Sequence, residues 1–153
     1  MPLASRARRP LRALAVVGLI AVPACINFQQ GDAVDAEANV SSARLSVGSQ
    51  TIIVKGTGAV MGGPITITRP ATAAISASFL NGAGAQDPVA HGGNFQLNAT
   101  SDDTSTLTFT RTSPFAGTLT GIAAGSTNLN VSLFHTSGGD NDFGPFAVPV
   151  TVN

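Results

Sequence analysis

From residue 43 onward the chain carries its apolar side chains at alternate positions in short runs, and no window of ten residues keeps the 3.6-residue spacing of a helix. In Ile75-Ser76-Ala77-Ser78-Phe79 the residues Ile75, Ala77 and Phe79 fall on one side of an extended chain, as do Phe95, Leu97 and Ala99 further on. Residues 44–47, 51–54, 65–68, 106–110, 129–133 and 146–152 have the same texture. Each run is rich in Thr, Val, Ile or Phe and is bounded by Gly, Pro, Asn, Asp or Ser, which terminate strands and form turns. Seven or eight short strands in about 110 residues predict an all-β fold, an antiparallel sandwich or barrel around one core. The chain has neither Trp nor Tyr, and its single cysteine forbids an internal disulfide, so aliphatic side chains and the Phe residues, seven of the eight lying beyond residue 43, must fill that core.

The N-terminal segment has a different composition. Arg6, Arg8, Arg9 and Arg12 precede ten apolar or small residues, Ala13 to Val22, with no acid among them. A basic region followed by a short apolar run is the layout of a secretory signal peptide. A spanning helix needs roughly 20 apolar residues, twice what is present. Val22-Pro23-Ala24-Cys25 follows, and this resembles the bacterial lipobox, an aliphatic residue and a small residue ahead of a cysteine. The resemblance implies cleavage before Cys25, lipid on its thiol and a membrane as the first partner; several acyl chains on one residue hold a protein stably where one does not. Ile26 stands where an aspartate would signal retention in the inner membrane, so the expected destination is the outer membrane. Residues 1–24 are thus expected to be a lipoprotein signal peptide. Residues 25–42, polar and acidic after Cys25, are expected to be a disordered, lipidated tether that buries too little to offset its ordering entropy. Residues 43–153 are expected to be the folded domain.

Removing the first 24 residues shifts the charge balance. Arg44, Lys55, Arg69 and Arg111 remain against Asp32, Asp35, Glu37, Asp87, Asp102, Asp103, Asp140 and Asp142, four cations against eight acids and a formal net of −4. Four scattered cations make no basic patch, which rules against nucleic acid as a partner.

Residues 115–129, FAGTLTGIAAGSTNL, resemble a signature of bacterial immunoglobulin-like (BIG2-type) domains, with a glycine pair around a hydrophobic residue and small residues. Residues 45–52 resemble that family's opening strand pair, and Val148-Pro149-Val150-Thr151-Val152 its closing strand. The resemblance implies an immunoglobulin-like antiparallel β-sandwich used outside the cytoplasm in adhesion or as a structural module. Gly121 and Gly125 are expected at the ends of strands, where a tight turn or a positive φ excludes a side chain. Residues 80–93 are expected to form a long loop in place of the family's tryptophan-bearing central strand.

No G-x-S-x-G elbow or other patterned nucleophile is present, and the acids sit in turn-like sequence, so the domain is expected to be non-catalytic, without a cofactor other than the lipid on Cys25. A carbohydrate site would lean on Trp and Tyr, which the chain lacks. A protein partner in the envelope, met through an end loop or an edge strand, fits the sequence better. The alternative is a periplasmic metal-binding lipoprotein. Residues 133–143, LFHTSGGDNDF, put His135, Asp140 and Asp142 within one loop, a donor set suited to zinc or copper, and His91 lies in a second glycine-rich stretch that could meet them. Calcium at Asp140, Asn141 and Asp142 lacks the twelve-residue ligand pattern of an EF-hand. The competing structural reading makes Gly138–Asp142 a polar turn and sets His135, in phase with Leu129, Val131 and Leu133, at the rim of the core.

Overall fold

Two β-sheets pack face to face in the computed structural model of the protein, which describes residues 36–153; the basic segment, the apolar run and Cys25 lie outside the described residues. The strands are β1 (Ser42–Val47), β2 (Gln50–Lys55), β3 (Val60–Met61), β4 (Ile65–Ile67) and β5 (Thr72–Leu80), followed by β6 (Phe95–Ser101), β7 (Leu107–Ser113), β8 (Ala116–Gly121), β9 (Gly125–His135) and β10 (Asp140–Val152). One sheet runs β3-β2-β1-β5-β8-β7 and the other β4-β10-β9-β6. Every pairing is antiparallel except β4 with β10. The protein is an antiparallel β-sandwich.

Alternation decides which residues enter the core. Leu45, Val47, Ile75, Phe79 and Leu119 from the first sheet meet Leu97, Leu129, Val131, Leu133 and Val150 from the second, all of them buried. Burying a side chain of this size stabilises by about 1.5–3 kcal/mol. Each of the eight runs read from the sequence is a strand. The structure adds β3, only two residues long, and β8, whose sequence AGTLTG holds a single large apolar side chain.

Strand β8 is built around a glycine. Gly117 faces inward, and the Phe109 ring of the neighbouring β7 lies over it; a Cβ there would collide with that ring and with the Thr110 carbonyl. Gly121 and Gly125 do bound strands, but neither has a positive φ. Gly121 is required instead by close approach, because a Cβ would come 2.8 Å from Val152 Cγ1 across the sandwich.

Side chains close both open sides of the sandwich. On one, the Gln50 amide acts as a stand-in for a strand: its Nε2 donates to the Thr66 carbonyl at 2.9 Å, and its Oε1 accepts the Thr66 N–H at 2.9 Å. On the other, Arg111 of β7 donates from Nε to the Leu97 carbonyl and from a terminal nitrogen to Gln96, while the Leu97 N–H donates to Pro114. A charge reaching in from an edge strand and a filled hydrogen-bonding row both discourage pairing with another chain's strand.

Of the expected tether, residues 25–35 lie outside the described residues, and the described residues 38–41 are packed on the sandwich. Ala38 and Val40 pack against the core, and the Ser41 N–H donates to the Leu80 carbonyl. Their small apolar surfaces find a place to bury that the sequence by itself does not reveal.

Gly117→Ala is expected to lower the unfolding free energy by about 1–3 kcal/mol, the range for overpacking a filled core. Urea denaturation measures it, and a change below about 0.5 kcal/mol, the size of an ordinary surface substitution, would contradict the packing described.

Candidate functional site

Strands β9 and β10 form the longest ladder in the protein, and its hairpin end carries the chemistry. His135 closes β9, residues 136–139 turn, and Asp140 opens β10 directly opposite His135. The turn is fixed by the Gly139 N–H donating to the His135 carbonyl at 2.8 Å, with Gly139 at φ +78°, a conformation that other residues rarely adopt. Thr136 fastens the hairpin to the 81–94 loop, donating to the Asn94 carbonyl from both its N–H and its hydroxyl.

The sequence reading treats 138–142 as a loose polar turn. The structure places Asp140, Asn141 and Asp142 within β10 instead. Asn141 pairs with Phe134 and Phe143 with Leu133, so Asp142 is the extra residue of a β-bulge. The bulge lets Asp142 and Phe143 both turn toward the interior, against simple alternation. A second irregularity follows at Gly144 and Pro145, where Gly144 has φ +82°. Bulges re-aim a side chain in this way, and they are frequent beside functional sites.

His135 is 3 % exposed, buried where β9 ends. Its ring stacks on Phe95, with centroids 4.3 Å apart and planes 14° from parallel. Its Nε2 lies 2.9 Å from the Ser137 hydroxyl. Its Nδ1 lies 3.9 Å from Asp140 Oδ1 and 3.8 Å from Asp142 Oδ1. The two carboxylates differ in setting: the Asp140 side chain is 64 % exposed, that of Asp142 only 1 %. Asp142 Oδ2 accepts the Ala38 N–H at 2.7 Å, but its Oδ1, equally buried, accepts no hydrogen bond from the described residues. Asn141, a member of the calcium triplet considered from sequence, pairs with Phe134 in the ladder. Among the described residues, His135, Asp140 and Asp142 are the three whose potential metal-ligand atoms come within 4.8 Å of one another.

His91 does not join them. It sits in the 81–94 loop, where its Nε2 accepts the Phe79 N–H at 3.1 Å and its ring lies 4.4 Å from that of Phe115. Burial pushes the His91 imidazole below its ordinary value of 6.5, with the nearby Asp87 carboxylate opposing the shift. Asp87 is itself buried and caps the loop, its Oδ1 accepting the N–H groups of Val89 and Ala90. His91 is thus a neutral acceptor that completes the backbone of β5. Sequence could place it in a glycine-rich loop but could not say which way the loop folds.

At the opposite end of the sandwich, Asp102 accepts from the side-chain amides of Asn128 and Asn130. Asp103 accepts from Ser105 and Thr106, and these hydrogen bonds hold its carboxyl below the usual carboxylate range. These two acids are the turn residues the sequence reading expects, fully engaged by their neighbours.

No family model matches the chain, and no curated protein matches it. Among solved structures, it is similar to domains 4 and 5 of the S-layer protein SbsC, with 18 % sequence identity and a TM-score of 0.43. The likeness covers 71 % of this chain and 53 % of that one, so the chain spans about half the length of that neighbour.

A pH dependence follows from His91. Its folded value lies below 6.5, so the unfolded chain binds the extra proton first. The stability that His91 contributes is complete above pH 6.5 and is lost as pH falls from there through the lowered folded value. Urea midpoints measured between pH 7.5 and 5 should therefore fall, and His91→Gln, which keeps an acceptor but cannot titrate, should flatten part of that fall. An identical profile in the variant would rule His91 out as a contributor.

Proposed function

We propose that this protein is an exported, lipid-anchored module of the bacterial cell envelope, with one immunoglobulin-like sandwich acting without catalysis as a binding or structural element close to a membrane. The export and anchor readings rest on the arginine-rich start, the short apolar run and Val22-Pro23-Ala24-Cys25. The immunoglobulin-like reading rests on the motif at 115–129 together with the two-sheet architecture.

The observation that carries the membrane-proximal role is how soon packing begins after Cys25. The backbone at Ala38 is already bonded to Asp142, and Val40 already packs on the core. Only residues 26–35 separate Cys25 from the first described residue. At 3.3–3.6 Å per residue those ten positions reach roughly 35 Å when fully extended, about the thickness of one bilayer. A domain on so short a lead meets partners at or near the membrane surface and does not reach far into the envelope.

The stem enters at one end of the sandwich, beside the start of β1, the end of β5 and the β9–β10 hairpin. The other end, with the β1–β2 turn and the 101–106 and 121–125 connections, is the one left to distal contacts. Gln50 and Arg111 close the sides, which favours recognition through end loops over strand addition.

Cys25→Ala should move the protein from the membrane fraction to the soluble extracytoplasmic fraction, and the intact mass of the wild-type protein should be that of a chain beginning at an acylated Cys25. A variant that still pelleted with envelope lipids would overturn the anchor.

A further inference from the structure

The geometry points to a binding site for a divalent late transition-metal ion, Zn²⁺ or Cu²⁺, formed by His135 Nδ1, Asp140 and Asp142. The site belongs to the sandwich itself and does not depend on the anchor. Three observations converge on it.

The first is Asp142. A carboxylate whose side chain is 1 % exposed, with one oxygen lacking any hydrogen bond from the described residues, bears a desolvation penalty that proteins ordinarily offset with a partner. That oxygen is aimed at the space between His135 Nδ1 and Asp140, so a cation there would neutralise it. The other oxygen is already held by Ala38, which fixes the carboxylate's orientation as the outer hydrogen bonds of metal ligands do.

The second is the imidazole. Stacking on Phe95 sets the plane of the ring, and Ser137 stands at Nε2. In the tautomer whose Nε2–H donates to the Ser137 hydroxyl, which metal binding would select, Nδ1 presents its lone pair toward both carboxylates. A metal-bound histidine is commonly oriented through its second nitrogen in this manner.

The third is Gly138. It has no positive φ, so no backbone requirement calls for glycine there. A Cβ at this position would lie 2.6 Å from Asp140 Oδ1 and 3.0 Å from His135 Nδ1, crowding the two groups that must converge. Glycine keeps the approach to the ligand atoms clear.

The donor set selects the ion. One imidazole with two carboxylates suits zinc or copper, and it leaves a further position for water or an outside ligand. Calcium takes six to eight oxygens, far more than this cluster offers. Zinc bonds of about 2.0–2.1 Å in tetrahedral geometry put ligand atoms roughly 3.3 Å apart. The observed 3.8 and 3.9 Å require a closure of about half an ångström; the exposed Asp140 side chain can supply its part by rotation, and the buried His135–Asp142 pair must shift by a similar amount on binding.

Because Asp142 holds both the cluster and the Ala38 N–H, an ion at Oδ1 would also steady the stem where it joins the sandwich. The site thereby links cation availability to the packing of the stem on the sandwich.

The test is a calorimetric titration of the full-length protein, purified from whichever fraction holds it and stripped with chelator, with Zn²⁺, Cu²⁺ and Ca²⁺ in turn. One Zn²⁺ or Cu²⁺ per chain at micromolar affinity or tighter, with no heat from Ca²⁺, is expected. Asp140→Asn and Gly138→Ala should each weaken binding at least tenfold. Asp140 is exposed, so its variant should keep the wild-type unfolding midpoint and separate loss of the site from loss of the fold. No transition-metal binding, or binding that both variants leave unchanged, overturns the proposal. Hydrogen exchange of the Ala38 amide reads the second consequence. Slowing of at least tenfold on saturation supports the link to the stem, and an unchanged rate with the metal bound overturns that link while leaving the site.

Discussion

The ladder between β9 and β10 is the interaction on which the rest of the protein depends. It is the long central pair of the second sheet, with β4 on one flank and β6 on the other, and its inward residues join those of β4 and β6 in that sheet's half of the core. A perfectly regular ladder of this length would keep every second residue pointing inward throughout. The two irregularities in β10 break that rule where the strand leaves the hairpin. They allow Phe143 to bury beside Phe79 while Asp142 also turns in, so aromatic packing and a buried carboxylate occupy consecutive positions. The core and the polar cluster are therefore products of the same backbone distortion.

The stem end of the sandwich combines two kinds of contact that usually lie apart. Phe79, Phe115, Phe143 and Phe146 meet edge to face around it, an arrangement favoured by the ring quadrupole. Against this apolar cluster stand two histidines with different roles. His91 accepts one backbone N–H and is pressed toward neutrality by burial. His135 faces two carboxylates. The difference comes from neighbours and not from residue type. One imidazole completes a strand's hydrogen bonding, while the other lies where charge has to be balanced.

Much of the architecture was legible because a strand's side-chain period is local. The alternation at 75–79, 95–99 and 129–133 specifies which residues face inward whatever the strands pair with, and those residues are buried as read. Strand β8 escaped because its inward positions are two glycines and one leucine, and apolar periodicity cannot register a glycine that is covered by a phenylalanine from the next strand. The stem escaped for a related reason. Ala38 and Val40 are too small to predict burial, and only the shape of the sandwich end gives them something to pack on.

The sequence by itself determined the fold class, the approximate strands, the negative charge beyond residue 24, and the set of residues able to bind a metal. Each follows from local composition and spacing. Only the tertiary structure decided which of those residues meet. His91 lies as plausibly in sequence as His135, yet it is turned toward Phe79 and Phe115, while a single extra residue in β10 carries Asp142 to His135. Contacts between side chains far apart in the chain depend on strand register. Register is set by the bulges and by the packing of one sheet on the other, and neither leaves a periodic signature in the sequence.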